Sequence, residues 1–415
     1  MTWFGMLVLG AVGSKWVTQL WLEWLNGRNV RAHAGAVPQV LKGVVDPTTY
    51  AKSVEYTLAK GRFRQCELTY EAVVLLLALF SGVLPWTFKL FHAAWGGSPW
   101  AMGGFLFVAG VGLSIPDLPF SWYAQFRLEE RFGFNTTRQQ LWWTDRLKGL
   151  ALGIALGYPL LVLVLFIIKR AGPSWWFWAW CAVMVFQLLM AVLAPVLILP
   201  LFNKFTPLAE GSLRERLQNL AQRTHFRAKS IQVMDGSKRS RHSNAFFVGF
   251  GGFRKIVLFD TLIQQLIEPE LEAVLAHEIG HFKKKHIPKM LVASACGSLV
   301  GFYILAWLGG QAWFYEAFGF SAGSLTPALL VFGLVSGAAT FWLAPILHGW
   351  SRRYEYQADR FAAQTMAEPG SLIGALRKLN EKNLSNLTPH PLYSGFYYSH
   401  PTLLEREQAL GRGNF

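Results

Sequence analysis

The chain has 415 residues, 53% of them hydrophobic and only 15% charged, with 18 Trp, 32 Phe and a formal charge of +15. So apolar a composition excludes an ordinary soluble protein of this length and points to a membrane protein. The three cysteines (Cys66, Cys181, Cys296) are odd in number and imply neither a disulfide framework nor a four-thiolate metal site, and the positive charge comes without a DNA- or RNA-binding motif, so no nucleic-acid partner is expected.

Seven candidate spans follow in order: Trp3–Leu25, weakened by Lys15; Ala72–Phe91; Ala101–Tyr123, with Pro116 and Asp117 inside it; Leu150–Ile168; Trp175–Leu201; Met290–Phe314; and Thr326–Leu347. Each is near the roughly 20 residues that cross a hydrocarbon core. The first lacks a basic start and a small-residue cleavage site, so it reads as a span and not as a signal peptide. Loops one and three are basic, carrying among others Arg28, Arg31, Lys42, Arg127, Arg131 and Arg138, and so are loop five and the tail. His92–Trp100 and Tyr315–Leu325 carry no Lys or Arg, and the fourth connection has only Lys169 and Arg170. The alternation puts the N-terminus outside and the C-terminus in the cytoplasm. Four parts are expected: residues 1–202, five membrane helices and their loops; 203–289, a cytoplasmic catalytic segment; 290–348, helices six and seven; and 349–415, a cytoplasmic C-terminal segment.

The loop Asn203–Lys289 is the largest soluble piece. It reads as a charged helix over Ser212–Thr224, then strands over Ser230–Met234, Ala245–Phe250 and Lys255–Asp260, with Gly249, Gly251 and Gly252 in the last turn. This small sheet leads into Glu268–Phe282, whose acidic start and apolar period mark a helix. Inside it lies His277-Glu278-Ile-Gly-His281. Two histidines four apart share a helix face and can hold one metal ion, expected to be zinc. Glu278 beside them is placed to take a proton from a water at the metal.

Such a site needs a third protein ligand. His286 does not fit the extended motif and, in an unbroken helix, faces another side than His281. Glu355 and Asp359, spaced i, i+4 in Ser351–Ala362, offer one carboxylate for the metal and one to hold a ligand histidine. Spans six and seven share a short outer connection and should be antiparallel neighbours. If both helices continue straight, His281 and Glu355 lie at matching depths, about 12–14 Å beyond the membrane edge at ~1.5 Å per residue. Pro288 could bend the sixth helix. His348 reads as an interfacial helix residue, and Lys283, Lys284 and Lys285 as contacts to lipid headgroups.

Together with Phe132-Gly-Phe-Asn135, His242-Ser-Asn-Ala-Phe-Phe-Val-Gly-Phe250, Glu355-Tyr-Gln-Ala-Asp359 and Ser399-His-Pro401 followed by Leu-Leu-Glu-Arg406, these features make the chain resemble the Ste24-type membrane zinc peptidases, the CAAX prenyl protease 1 family of peptidase family M48. The resemblance covers nearly the whole chain. It implies an α-helical integral membrane protein whose seven helices enclose a water-filled chamber, with a small cytoplasmic α+β zinc-peptidase part. It implies His277, His281 and Glu355 as zinc ligands, Glu278 as general base and Asp359 as the carboxylate behind a ligand. It also implies His400 as the oxyanion stabiliser, and Asn244 and Ala245 on an edge strand that pairs with the substrate backbone. One departure is that Gly411–Phe415 holds no endoplasmic-reticulum retrieval signal. The Trp-rich chain with short loops reads as bacterial, so the expected location is a bacterial inner membrane with the active site at its cytoplasmic face.

The expected function is therefore a zinc endopeptidase acting on peptide or protein substrates, either lipidated C-a-a-X tails or misfolded membrane proteins. An intramembrane-cleaving protease is disfavoured because the histidine motif lies in a soluble loop before a lysine run. A zinc-dependent channel or transporter would need more polar groups within the spans than Lys15 and Asp117.

Overall fold

The computed structural model describes residues 1–43, 45–227, 229–248 and 255–411. The expected glycine turn at Gly249, Gly251 and Gly252, with Phe250, and the C-terminal residues 412–415 lie outside the described residues.

Helices dominate. Among the described residues five helices are long and apolar enough to cross a membrane: Pro99–Glu129, Gln139–Arg170, Gly172–Phe202, His286–Gly309 and Leu325–Met366. A sixth arises if Pro47–Phe80 and Val83–Trp95, bent by 53° at Ser81–Gly82, count as one span. The expected count of seven thus rests on Trp3–Ala32, which is helical but not among these. Lys15 and Gln19 lower the hydropathy of its apolar stretch, and Gln19, Glu23 and Asn26 are buried on a polar face. Glu23 accepts from the Tyr393 hydroxyl at 3.1 Å, and Asn26 accepts from the Asn386 amide at 3.0 Å. The helix trades hydropathy for contacts with the C-terminal segment.

The third expected span runs on to Glu129 through a 3₁₀ turn at Ile115–Asp117, where Pro116 interrupts the ladder. The seventh continues to Met366, so Glu355 stands on a direct helical extension of the span, as the depth argument requires. The sixth does not continue. The motif helix, Glu268–Lys283, ends at Lys284, and the membrane helix restarts at His286. Between them Lys285 adopts φ 55°, ψ 40°, the left-handed region, at a cost of roughly 1–2 kcal/mol for a residue with a Cβ. The bend is there and not at Pro288, which sits in the new helix's first turn, where a missing N–H costs nothing.

Two apolar cores hold the molecule together. One includes Val8, Leu79, Phe105, Leu165, Phe314 and Val331 and ties the membrane helices. The other includes Leu217, Leu220, Ile256, Leu258, Leu275, Ile279 and Leu376 and belongs to the peptidase part. Along the five spans at most 22% of the most apolar window is buried. Such sparse burial fits helices whose apolar sides face lipid.

The peptidase part contains a four-stranded sheet: β1 Phe205–Pro207, β2 Ser230–Met234, β3 Ala245–Val248 and β4 Lys255–Phe259, in the order β1-β2-β4-β3. β2 and β4 are parallel, and the outer strands pair antiparallel. Among the described residues β3 is therefore an edge, with Ala245 opposite Leu258 and one side of its backbone unpaired within the sheet. The charged helix forms over Ser212–Arg223 and packs Leu217 and Leu220 into the core.

Candidate metal centre and catalytic site

Two helices build the centre. The motif helix starts with Glu270 folding back to the Ile267 N–H at 3.0 Å and Pro269 in its first turn, where no backbone donor is needed. It packs along Ala344–Met366 through small residues: Ala276 and Ala358 are both fully buried. At Gly280 the approach is closest. A Cβ there would stand 3.0 Å from the Ala358 Cα, 3.1 Å from its carbonyl oxygen and 3.1 Å from the Phe361 Cβ. Glycine between the two motif positions is what lets the second helix reach the histidines.

At this crossing one ligand atom each from His277, His281 and Glu355 lies within 4.8 Å of the others. The Nε2 atoms of His277 and His281 face each other at 3.1 Å. Glu355 Oε2 is 3.4 Å from His277 Nε2, and Oε1 is 3.3 Å from His281 Nε2. Glu355 Oε2 is buried and makes no hydrogen bond. Two imidazoles and a carboxylate converging on one point, with an orphaned carboxylate oxygen, fit a divalent metal ion with an open fourth position.

The far nitrogens are held as well. His277 Nδ1 lies 2.8 Å from Asp359 Oδ1, and Asp359 is 2% exposed. Asp359 in turn accepts two bonds from Arg406, which reaches in from the last helix, Leu403–Gly411. Burial alone would lower the His277 pKa. Its hydrogen bond to Asp359 and the nearby Glu355 carboxylate outweigh that and push it up to about 9, so the pocket favours a positive charge here. Glu278 is half-buried, and that burial raises its carboxyl above the usual range against the pull of the two histidines.

His400 lies beside the same point, with Nε2 3.5 Å from Glu355 Oε1 and Nδ1 2.9 Å from the Ser399 hydroxyl. It opens onto a cavity of about 830 Å³ lined by Glu23, Asn26, Lys60, Asn386 and Tyr393. The segment that carries His400 is pinned to the Glu355 helix: His348 donates from Nδ1 to the Phe396 carbonyl at 2.7 Å, and Arg352 donates to that of Tyr398 at 2.6 Å. His348 thus has a structural task. Asn244 precedes β3: its carbonyl accepts from the Phe259 N–H at 3.2 Å, and its side chain bonds the Ala245 N–H at 2.8 Å. The motif helix packs against β3.

His286, placed by the sequence on another face, instead lies 3.0 Å from His281 Nδ1, because the helix breaks before it. Arg406 and Gln357 also carry contacts that sequence spacing did not assign. For Arg406 the only signal was its place in the quoted Leu-Leu-Glu-Arg run.

Residues 26–204 match the family model for the CAAX prenyl protease N-terminal domain, described as five membrane helices, and residues 207–412 match peptidase family M48. The CAAX prenyl protease 1 homolog of Arabidopsis thaliana is 37% identical over 413 residues, covering 96% of both chains. CAAX prenyl protease 1 of Saccharomyces cerevisiae is also 37% identical, over 90% of this chain and 88% of the relative. The crystal structure of S. mikatae Ste24p superposes with a TM-score of 0.92 at 33% identity, covering 99% of each chain. The chain therefore belongs to the CAAX prenyl protease 1 family of M48 peptidases: it is a multi-pass membrane metalloendopeptidase of the Ste24 type.

Proposed function

We propose that the metal is zinc, held by His277, His281 and Glu355, and that Glu278, His400, Asp359, Asn244 and Ala245 serve hydrolysis around it. The carrying observation is the convergence of three ligand atoms, from two helices, within 4.8 Å. When bound, zinc acts as a Lewis acid on the scissile carbonyl and on the attacking water. The Glu278 carboxylate takes the water's proton and passes it to the leaving amine; its raised pKa suits both roles. His400 donates from Nε2 to the developing oxyanion. Asp359, fixed by Arg406, accepts the His277 Nδ1–H and keeps the other nitrogen's lone pair toward the ion. The substrate lies extended along the free edge of β3, its backbone pairing near Ala245 and with Asn244 at the strand's start.

The substrates are peptides or proteins with C-a-a-X tails, lipidated where the host makes them. Residues 1–202 and 290–348 form the membrane part, 203–289 the catalytic segment and 349–415 the cytoplasmic end that brings the third ligand. The basic loops support an outside N-terminus and a cytoplasmic site, and the short-looped, Trp-rich chain supports a bacterial inner membrane, with Lys283–Lys285 at its lipid headgroups. A reporter fused to the C-terminus should be active only in the cytoplasm; the reverse would overturn the orientation. Purified protein should cleave a quenched farnesylated C-a-a-X peptide and stop when zinc is chelated. Equal cleavage of the unprenylated peptide would remove the lipid from the substrate definition, and no cleavage of either would sink the proposal.

A further inference from the structure

His281 is the less obviously supported of the two histidines. Behind His277 stands a carboxylate anchored by an arginine. Behind His281 stands a second imidazole: His281 Nδ1 lies 3.0 Å from His286 Nδ1, and His286 Nε2 lies 3.0 Å from Gln357 Oε1. His286 is 1% exposed and stacks on Tyr354 at 4.0 Å with planes 8° apart. The stack leaves it little room to turn, and burial leaves no water to replace either partner.

Proton bookkeeping selects one sense for this chain. A neutral imidazole has one donor and one acceptor. If Gln357 accepts at Oε1, His286 Nε2 is the donor and His286 Nδ1 the acceptor. His281 Nδ1 must then carry its hydrogen, and its Nε2 keeps a lone pair facing His277 and Glu355. In the opposite sense His286 Nδ1 donates, His281 Nδ1 accepts, and the His281 hydrogen sits on Nε2, where it blocks a metal. Only the first sense is compatible with the metal centre.

We infer that His286 is a positioning residue for the metal: with Gln357 it fixes His281 in the tautomer that ligates, a task that a carboxylate performs for His277. The left-handed Lys285 is the device that brings it there, by breaking the helix so that His286 turns back toward the preceding turn. Tyr354 and Gln357 flank Glu355 on the same helix, so one helix supplies the third ligand and the support for the second. A side chain that is not a ligand thereby gains a measurable share of metal affinity.

This inference rests on the metal centre proposed above, and zinc affinity in the absence of substrate tests it. Detergent-purified wild type, His277→Ala, His286→Leu and His286→Asn are titrated with zinc against a chromophoric chelator, and their folding is followed by circular dichroism. Leucine fills the site without an acceptor. The Asn Oδ1 takes the place of the imidazole Nδ1 and accepts as it does. His286→Leu should bind zinc about 10- to 100-fold more weakly, the usual cost of losing a ligand's supporting hydrogen bond, and His286→Asn should recover most of that loss. If His286→Leu does not fold, Gln357→Met, which removes only the terminal acceptor, should weaken zinc in the same direction. Wild-type affinity in His286→Leu, or equal weakness in folded His286→Leu and His286→Asn, would overturn the inference. Undiminished zinc in His277→Ala would instead overturn the metal centre itself.

Discussion

Replacing Gly280 with alanine isolates what the helix crossing contributes. The new Cβ would meet the Ala358 Cα at 3.0 Å and its carbonyl oxygen at 3.1 Å, with the Phe361 Cβ also at 3.1 Å. These contacts are tighter than ordinary van der Waals packing, so the helices must part by a few tenths of an ångström locally. Two of the three obstructing atoms are backbone, so no rotamer change relieves the clash. Overpacking of this kind costs roughly 1–3 kcal/mol. Alanine in place of glycine inside a helix returns about 0.8–1.0 kcal/mol of that, so the net loss of stability should be about 0–2 kcal/mol. The ligands have less slack. Metal–ligand distances tolerate about 0.2 Å, and Glu355 stands one turn from Ala358 on the helix that must move. Zinc affinity should fall about 10- to 100-fold, as for other disturbed ligand supports, while the protein stays folded. The assay is chelator competition at a temperature well below the unfolding transition, which thermal unfolding in detergent locates for each variant. Wild-type zinc affinity in Gly280→Ala would refute the reasoning that this contact sets the ligand geometry.

Glu355→Ala should lose nearly all bound zinc in metal analysis, while Glu355→Asp, one methylene short, should keep only part of it. His400→Ala should retain zinc and lower turnover by about 10² to 10³, the cost of one oxyanion donor; kcat should fall with little change in KM. Asp46 accepts from the Thr48 hydroxyl at 2.7 Å and caps Pro47–Phe80 through the Thr48 and Thr49 N–H groups, and these bonds hold its carboxyl well below the usual value. A depressed folded-state pKa means that its stabilisation is complete above the unfolded value of about 3.9 and is lost as pH falls through the folded one. The gap in denaturation midpoint between wild type and Asp46→Asn should therefore be steady near neutrality and close only in acid.

The parts of the site that sequence made legible share a local cause. His277 and His281 are one helical turn apart, and so are Glu355 and Asp359, so each pair could be placed on a face from spacing alone. The meeting of the two pairs also followed, because spans six and seven are joined by a short turn. What sequence concealed depends on breaks and on long-range packing. A lysine in the left-handed region leaves no compositional mark, so an unbroken helix was assumed and His286 was assigned to the wrong face. Lys15 marks Trp3–Ala32 as a weakened span, but the polar residues Glu23 and Asn26 have partners more than 350 positions away, Tyr393 and Asn386, which no local pattern reveals. β1 spans only three residues, Phe205–Pro207, too few for an alternation to register. That β3 is an edge is a property of strand order, which hydropathy does not encode.

The central claim is that a bound metal and a neighbouring carboxylate divide the work of hydrolysis. Glu278→Gln tests it most directly, because the amide keeps the side chain's shape and removes only its ability to accept a proton. Zinc content and turnover of a cleavable peptide are measured on the same preparation, beside wild type. Zinc should remain at the wild-type level while turnover falls by at least about 10² to 10⁴, the usual loss of a general base. Turnover above about a tenth of wild type, a smaller loss than a general base gives, would contradict the account.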